Sequence, residues 1–236
     1  MSLNSDYADS KRHEEEGDTI LDGSDLAPFH SFSPIRSDIA LLLIEGLESA
    51  SDGDDGLLEA LLSSDEGLSE IFRTEGCDWS NGRENCKQSD SNLLLVGLTL
   101  LDSDDRRITP FDDGQARERL GRFPWEDGNP LSYLKAWSGT PEESNTDVML
   151  LFEELDENLG DLARGHDRFE NAAFGKLHGY LDSKQVDELE RAFSKGDFIV
   201  RADEPLDGGV NEIVRQLTRV LRHASKHGGG ILHFSH

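Results

Sequence analysis

Histidine is the commonest metal ligand and titrates near neutral pH. Four of the chain's eight histidines, His223, His227, His233 and His236, fall in its last 14 residues. On a helix His223 and His227 stand four residues apart, which places both on one face and lets them hold one ion. They are the candidate metal ligands of the sequence, and with nearby carboxylates they would make a metal-assisted enzyme. The HExxH arrangement has a glutamate beside the first histidine as general base; here that position is Ala224. On a wheel starting at Val210, the apolar stripe centres near about 340° and His223 near about 220°. His223 is therefore expected to face solvent, and His227 to lie nearer the stripe's edge. His233 and His236 differ by an odd number and take opposite faces of a strand. His233 shares its face with Ile231, so it is expected as a half-buried sheet histidine. The four do not converge on one ion.

Other chemistry is thinly represented. No G-x-x-x-x-G-K-[ST] or G-x-S-x-G is present, and no cofactor-binding motif or catalytic residue can be named. The glycines of HGGG follow a helix, where carbonyls rather than N–H groups are exposed, so they suit capping and not anion binding. The acidic stretch SDGDDGLLEALL fails as a calcium loop: counted from Asp52, position 5 is Gly56 and position 12 is Ser63. Cys77 and Cys86 lack a second ligand pair; a disulfide across their short loop is geometrically possible, but two reduced thiols are expected in an intracellular chain. Trp79, Trp125 and Trp137 suit core or interface positions.

Charge is the strongest compositional signal. Asp and Glu number 49 against 23 Lys and Arg, a net charge of -26. Such a chain repels nucleic acid phosphates and anionic membrane surfaces, so neither is an expected partner. A basic protein partner, or a salty milieu, fits better. The longest apolar run, IALLLI at 39–44, is far shorter than the roughly 20 residues of a membrane span. The N-terminus carries no hydrophobic signal region. A cytoplasmic protein is expected.

The elements follow from periodicity and caps. Residues 1–33 carry little periodicity and are expected as a poorly structured acidic lead-in. SDIALLLIEGLESA reads as a buried helix capped by Ser37. Two short helices follow, with Leu57, Leu58, Leu61 and Leu62 on one face. NLLLVGLTLL at 92–101 is the best strand candidate, though its leucines also suit a buried helix. FDDGQARERLGRF is expected as a helix capped by Asp112 or Asp113, and NPLSYLKAW as one with Pro130 at its first turn. TPEE at 140–143 has the capping-box form. DVMLLF fits strand or helix. LDSKQVDELERAFSKGD reads as a helix capped by Asp182 and stopped by Gly196. DFIVRAD is a short strand or extended segment. VNEIVRQLTRVLRHASKH is amphipathic, with Val210, Ile213, Val214, Leu217, Val220, Leu221 and Ala224 at helical spacing. ILHFS follows as a final strand.

This pattern predicts an α+β fold: a helix-rich domain over 34–236 with a small sheet and a C-terminal helix–glycine–strand unit. A helical subdomain over 34–90 is compatible with it. GYLDSKQVDELERAF, VNEIVRQLTRVLRHASKHG and GILHFSH together resemble uncharacterised YfbM-like bacterial proteins over about 60 of the 236 residues. That resemblance implies a small α+β fold without an established activity, so it assigns no residue a role. The expected function is that of a non-enzymatic, acidic interaction protein, immunity-like, antitoxin-like or regulatory. The metal-assisted enzyme built on His223 and His227 is the alternative.

Overall fold

The computed structural model describes residues 28–81, 85–99, 119–121, 123–139, 146–156, 159, 170–171, 175–196 and 199–235. The strands are β1 (His30–Ile35), β2 (Arg119–Gly121), β3 (Ser138–Gly139), β4 (Glu170–Asn171), β5 (Gly175–Leu181), β6 (Ile199–Val200) and β7 (Gly230–Ser235). The α-helices are α1 (Ala40–Ser51), α2 (Gly56–Ser64), α3 (Glu66–Thr74), α4 (Asp90–Gly97), α5 (Pro130–Trp137), α6 (Thr146–Leu155), α7 (Ser183–Lys195) and α8 (Gly209–Lys226). The fold is α+β.

Five strands form one antiparallel sheet in the order β2-β1-β7-β5-β4. The C-terminal strand is thus its centre. Strands β3 and β6 make a separate two-stranded ribbon. Helices cover both faces of the main sheet. On one face Ile35, Leu177 and Leu232 share a core with α1–α4. On the other, Phe32, Leu181 and Ile231 share a core with α5–α8.

Leu177 and Leu181 are four apart on β5, yet they serve opposite faces. A β-bulge explains this. Leu177 pairs with Phe234 and Gly179 with His233, so His178 is an extra residue that inverts the alternation.

Local chemistry accounts for the helices. Asp182 and Gln185 form a reciprocal capping box at α7, and Gly196 ends that helix at φ 72°. Burying Val186, Leu189 and Phe193 contributes about 1.5–3 kcal/mol each relative to exposure. Asn129 caps α5, with Pro130 at its first position. Helix α8 buries the apolar stripe read from its spacing, apart from half-buried Val214.

Several expectations change. Strand β1 begins at His30, inside the stretch read as lead-in, because β7 supplies a partner that local periodicity cannot reveal. Residues 1–27 lie outside the described residues. Helix α1 starts at Ala40, not after Ser37; Ile39 takes the N-cap position without a side-chain hydrogen bond. Residues 92–97 of the 92–101 run lie in helix α4, capped by Ser89, where leucines without β-branching follow helix propensity, and residues 100–101 lie outside the described residues. After the helix, Thr99 makes an isolated antiparallel bridge with Ile35. DVMLLF lies in helix α6. The FDDG helix start and TPEE lie outside the described residues, while Arg119–Gly121 is strand. Cys77 and Cys86 are joined as a disulfide with Cα atoms 4.4 Å apart, not held as separate thiols. Among the described residues, no helix is long and apolar enough to cross a membrane.

Candidate metal centre

Antiparallel pairing determines which side chains share a face. His30 pairs with Ser235, and Phe32 with His233. Each strand alternates, so His30, Phe32, His233 and Ser235 all point to one side of the sheet. The bulge in β5 adds His178, a residue that regular alternation would not deliver there. Bulges commonly re-aim a side chain next to a functional site.

The result is a cluster of three buried imidazoles: His30 at 2% exposure, His178 at 6% and His233 at 0%. One ring nitrogen from each lies within 4.8 Å of the others. Among the described residues this is the group of three or more histidines, cysteines or carboxylates placed to hold a metal. The rings are layered. His233 stacks between Phe32, at 4.5 Å and 5°, and His178, at 4.4 Å and 17° between ring planes. His30 lies beside them, 5.2 Å from His233 and 5.6 Å from His178.

Hydrogen bonds assign the protons. His233 Nδ1 lies 2.8 Å from the Leu155 carbonyl. A carbonyl only accepts, so Nδ1 carries the hydrogen and Nε2 presents a lone pair. Leu155 is the last residue of α6, where carbonyls lack partners within the helix. His233 thus satisfies a helix end and has its own orientation set by it. His30 Nδ1 lies 2.9 Å from His233 Nε2 and must donate to it. His178 Nε2 contacts Ser235 Oγ at 2.8 Å. Its Nδ1 is buried and has no hydrogen-bond partner.

The surroundings hold these groups in place. At Gly179 an added Cβ would sit 2.1 Å from the Glu154 carbonyl oxygen, so only glycine lets β5 lie this close to α6. The end of α6 is anchored by Asp156, which accepts from Asn129 Nδ2 at 3.0 Å and pairs with Lys135 at 3.1 Å.

Burial drives the electrostatics. The His178 pKa is lowered to about 4, first by desolvation and then by the positive charge of Lys176, with Asp156 and Asp127 opposing. His233 is held well below the ordinary histidine value by burial, and then by His178 and His30. Both rings are therefore neutral at pH 7, the form that coordinates metal.

Imidazole nitrogens suit a borderline transition-metal ion such as Zn²⁺. At bond lengths of about 2.0–2.1 Å, tetrahedral ligand nitrogens stand about 3.3 Å apart. His30 Nδ1 and His233 Nε2 stand 2.9 Å apart, close to that distance, and an ion between them would require His30 to carry its hydrogen on Nε2 in place of Nδ1. The backbone carbonyl on His233 and the hydroxyl on His178 are the kind of outer partners that orient ligating histidines. A Ser–His hydrolase fits the same atoms less well. Ser235 and His178 are in contact, but among the described residues no carboxylate orients His178 Nδ1.

The sequence-derived pair lies elsewhere, at the end of α8. The His223 and His227 rings are 5.0 Å apart and tilted by 52°. His223 is half-buried and His227 is the exposed C-cap, the reverse of the wheel's assignment. No third histidine, cysteine or carboxylate joins them in a ligand group among the described residues. His233 is fully buried, and His236 lies outside the described residues. Sequence reasoning missed His30 and His178. The available signal was a histidine two positions from Phe32 in HSF, mirrored by His233 and Ser235 in HFS, each on the apolar face of a short strand.

No protein-family model, curated protein or solved structure matches the chain.

Proposed function

We propose that the protein binds a divalent transition-metal ion through His30, His178 and His233. The observation that carries this reading is the burial of three imidazoles with one ring nitrogen from each within 4.8 Å of the others, beside a buried His178 Nδ1 that lacks a partner among the described residues. Aliphatic side chains would cover a sheet face at lower desolvation cost, and a buried polar atom without a partner calls for an occupant. The ion would join β1, β7 and β5, and its binding free energy would add to fold stability. Elemental analysis of protein purified without a metal-affinity step tests this, followed by calorimetric titration of chelator-treated protein with Zn²⁺, Co²⁺ or Ni²⁺. One ion per chain, lost in His233→Leu, is expected. Absence of stoichiometric binding by all three ions would overturn the reading.

The net charge of -26 favours a second reading, a cytoplasmic interaction protein that binds a basic partner. Opposite charge speeds such association at low ionic strength. Helix α1 also presents Leu41 and Leu42 to solvent beside exposed Glu45. A pull-down at low salt should recover a basic protein that higher salt releases; recovery of none counts against it.

A further inference from the structure

Helix α8 sets a basic stripe on an acidic chain. Arg215, Arg219, Arg222 and Lys226 are all exposed, and Glu212 is the helix's one acid. Steps of four, three and four residues keep these cations within an arc of about 60° and spread them over about 16 Å of helix axis. Helices α7 and α8 together carry seven Lys and Arg against four Asp and Glu. Helices α1, α2 and α3, on the sheet's other side, carry five acids and one Arg. The net charge of -26 is therefore shared unevenly between the two helical layers.

Half of the stripe is already engaged. Arg215 pairs with Glu212. Arg222 reaches across to α7, to Glu190 at 2.9 Å and Ser194 at 3.0 Å. Asp187, also on α7, accepts from Ser225 of α8 at 2.6 Å. Arg219 and Lys226 have no ion pair among the described residues, and Glu212 acts on Arg219 only from beyond pairing distance. These two stand seven residues apart, two turns along one face and about 10 Å along the axis.

The spacing of the stripe selects its occupant. Carboxylates at the same steps on a second helix repeat at the same axial distances, about 6, 4.5 and 6 Å. Same-face side chains of an extended strand recur evenly at about 6.7 Å and drift out of register. A nucleic acid strand would carry its charge past the ends of the stripe and against the rest of an acidic chain. A helical segment of about 12 residues would end with the stripe. We propose that the exposed face of α8 docks an acidic helix of a partner polypeptide, its carboxylates meeting Arg219, Arg222 and Lys226. This is charge complementarity of opposite sign to that offered to a basic partner beside Glu45 on α1.

The test titrates the isotope-labelled full chain and follows the backbone amide resonances of α8. An ionic strength of about 0.1 M, with a Debye length of about 10 Å, screens the charge of the other layer. Three probes are used: a capped alanine–glutamine helix with four Glu at steps of four, three and four, its isomer with the Glu scattered around the helix, and a short oligothymidylate. The one-faced peptide should shift the α8 amides with a Kd of about 5 mM or lower. Arg219→Glu with Lys226→Glu, both at exposed positions, should weaken it about 10-fold or more, the effect of two exposed charge pairs turned repulsive. Arg73→Glu with Lys87→Glu changes the net charge equally on the other layer and should leave the affinity within about twofold. The proposal is overturned if the one-faced peptide gives no shift up to about 5 mM, or if the α8 reversal leaves its affinity unchanged. It is equally overturned if the scattered isomer or the oligothymidylate binds as tightly. Self-association of the chain that the α8 reversal abolishes would also overturn it, by giving the face to a second copy.

Discussion

Replacing His178 with phenylalanine separates a metal centre from a merely packed histidine cluster. A phenyl ring keeps the aromatic layer over His233, which His178 now occupies at 4.4 Å. It removes the buried Nδ1 that has no partner, a burial cost of about 1–3 kcal/mol. It also strips Ser235 Oγ of its 2.8 Å contact, a loss of similar size. The metal-free variant should therefore unfold within about 1 kcal/mol of the metal-free parent. Metal distinguishes them. An ion at 100 times its Kd stabilises the native state by about 2.7 kcal/mol. For a chain of this size that raises Tm by about 5–10 °C. With one of three ligands gone, the variant should show little of this rise at the same ion concentration. Differential scanning calorimetry with chelator and with excess Zn²⁺ measures all four states. Equal Zn²⁺-induced shifts in parent and variant would refute the assignment of His178 as a ligand. A metal-free variant destabilised by many kcal/mol would refute the balance drawn between the two polar groups.

Acid should weaken the fold through the same residues. The folded His178 pKa of about 4 lies below the ordinary 6.5. The unfolded chain therefore binds the proton more readily, so this stability is present above about pH 6.5 and is lost as pH falls towards 4. The contribution is roughly 3 kcal/mol, and urea titrations of the parent across that window should be steeper in pH than those of His178→Phe. Gly179→Ala would force a Cβ to 2.1 Å from a backbone oxygen; a loss of about 3 kcal/mol or more in urea unfolding is expected, with weaker metal binding because Leu155 no longer sets His233. Asp182→Ala removes the α7 capping box and should cost about 1 kcal/mol in the same assay, leaving metal affinity unchanged.

The chain's own periodicity determined the last third of the fold. Asp182, Gln185 and Gly196 bracket α7, and the spaced aliphatics of α8 mark its inner face, because caps and amphipathic stripes are local and act through neighbours three or four residues away. Composition likewise set the acidity. Leucine-rich 92–101 was legible as apolar, strand or buried helix; the helical state of 92–97 follows from burial against α1 and α3. The candidate site was not legible, for a geometric reason. His30 and His233 are 203 residues apart in sequence and meet only because β1 pairs with β7. His178 joins them through one extra residue in β5, and a one-residue shift reverses which face a side chain takes. Helical spacing drew attention to His223 and His227, where local geometry suffices to bring two rings together. Gathering three buried imidazoles required strand order, register and a bulge, and those were decided only when the sheet closed between its two layers of helices.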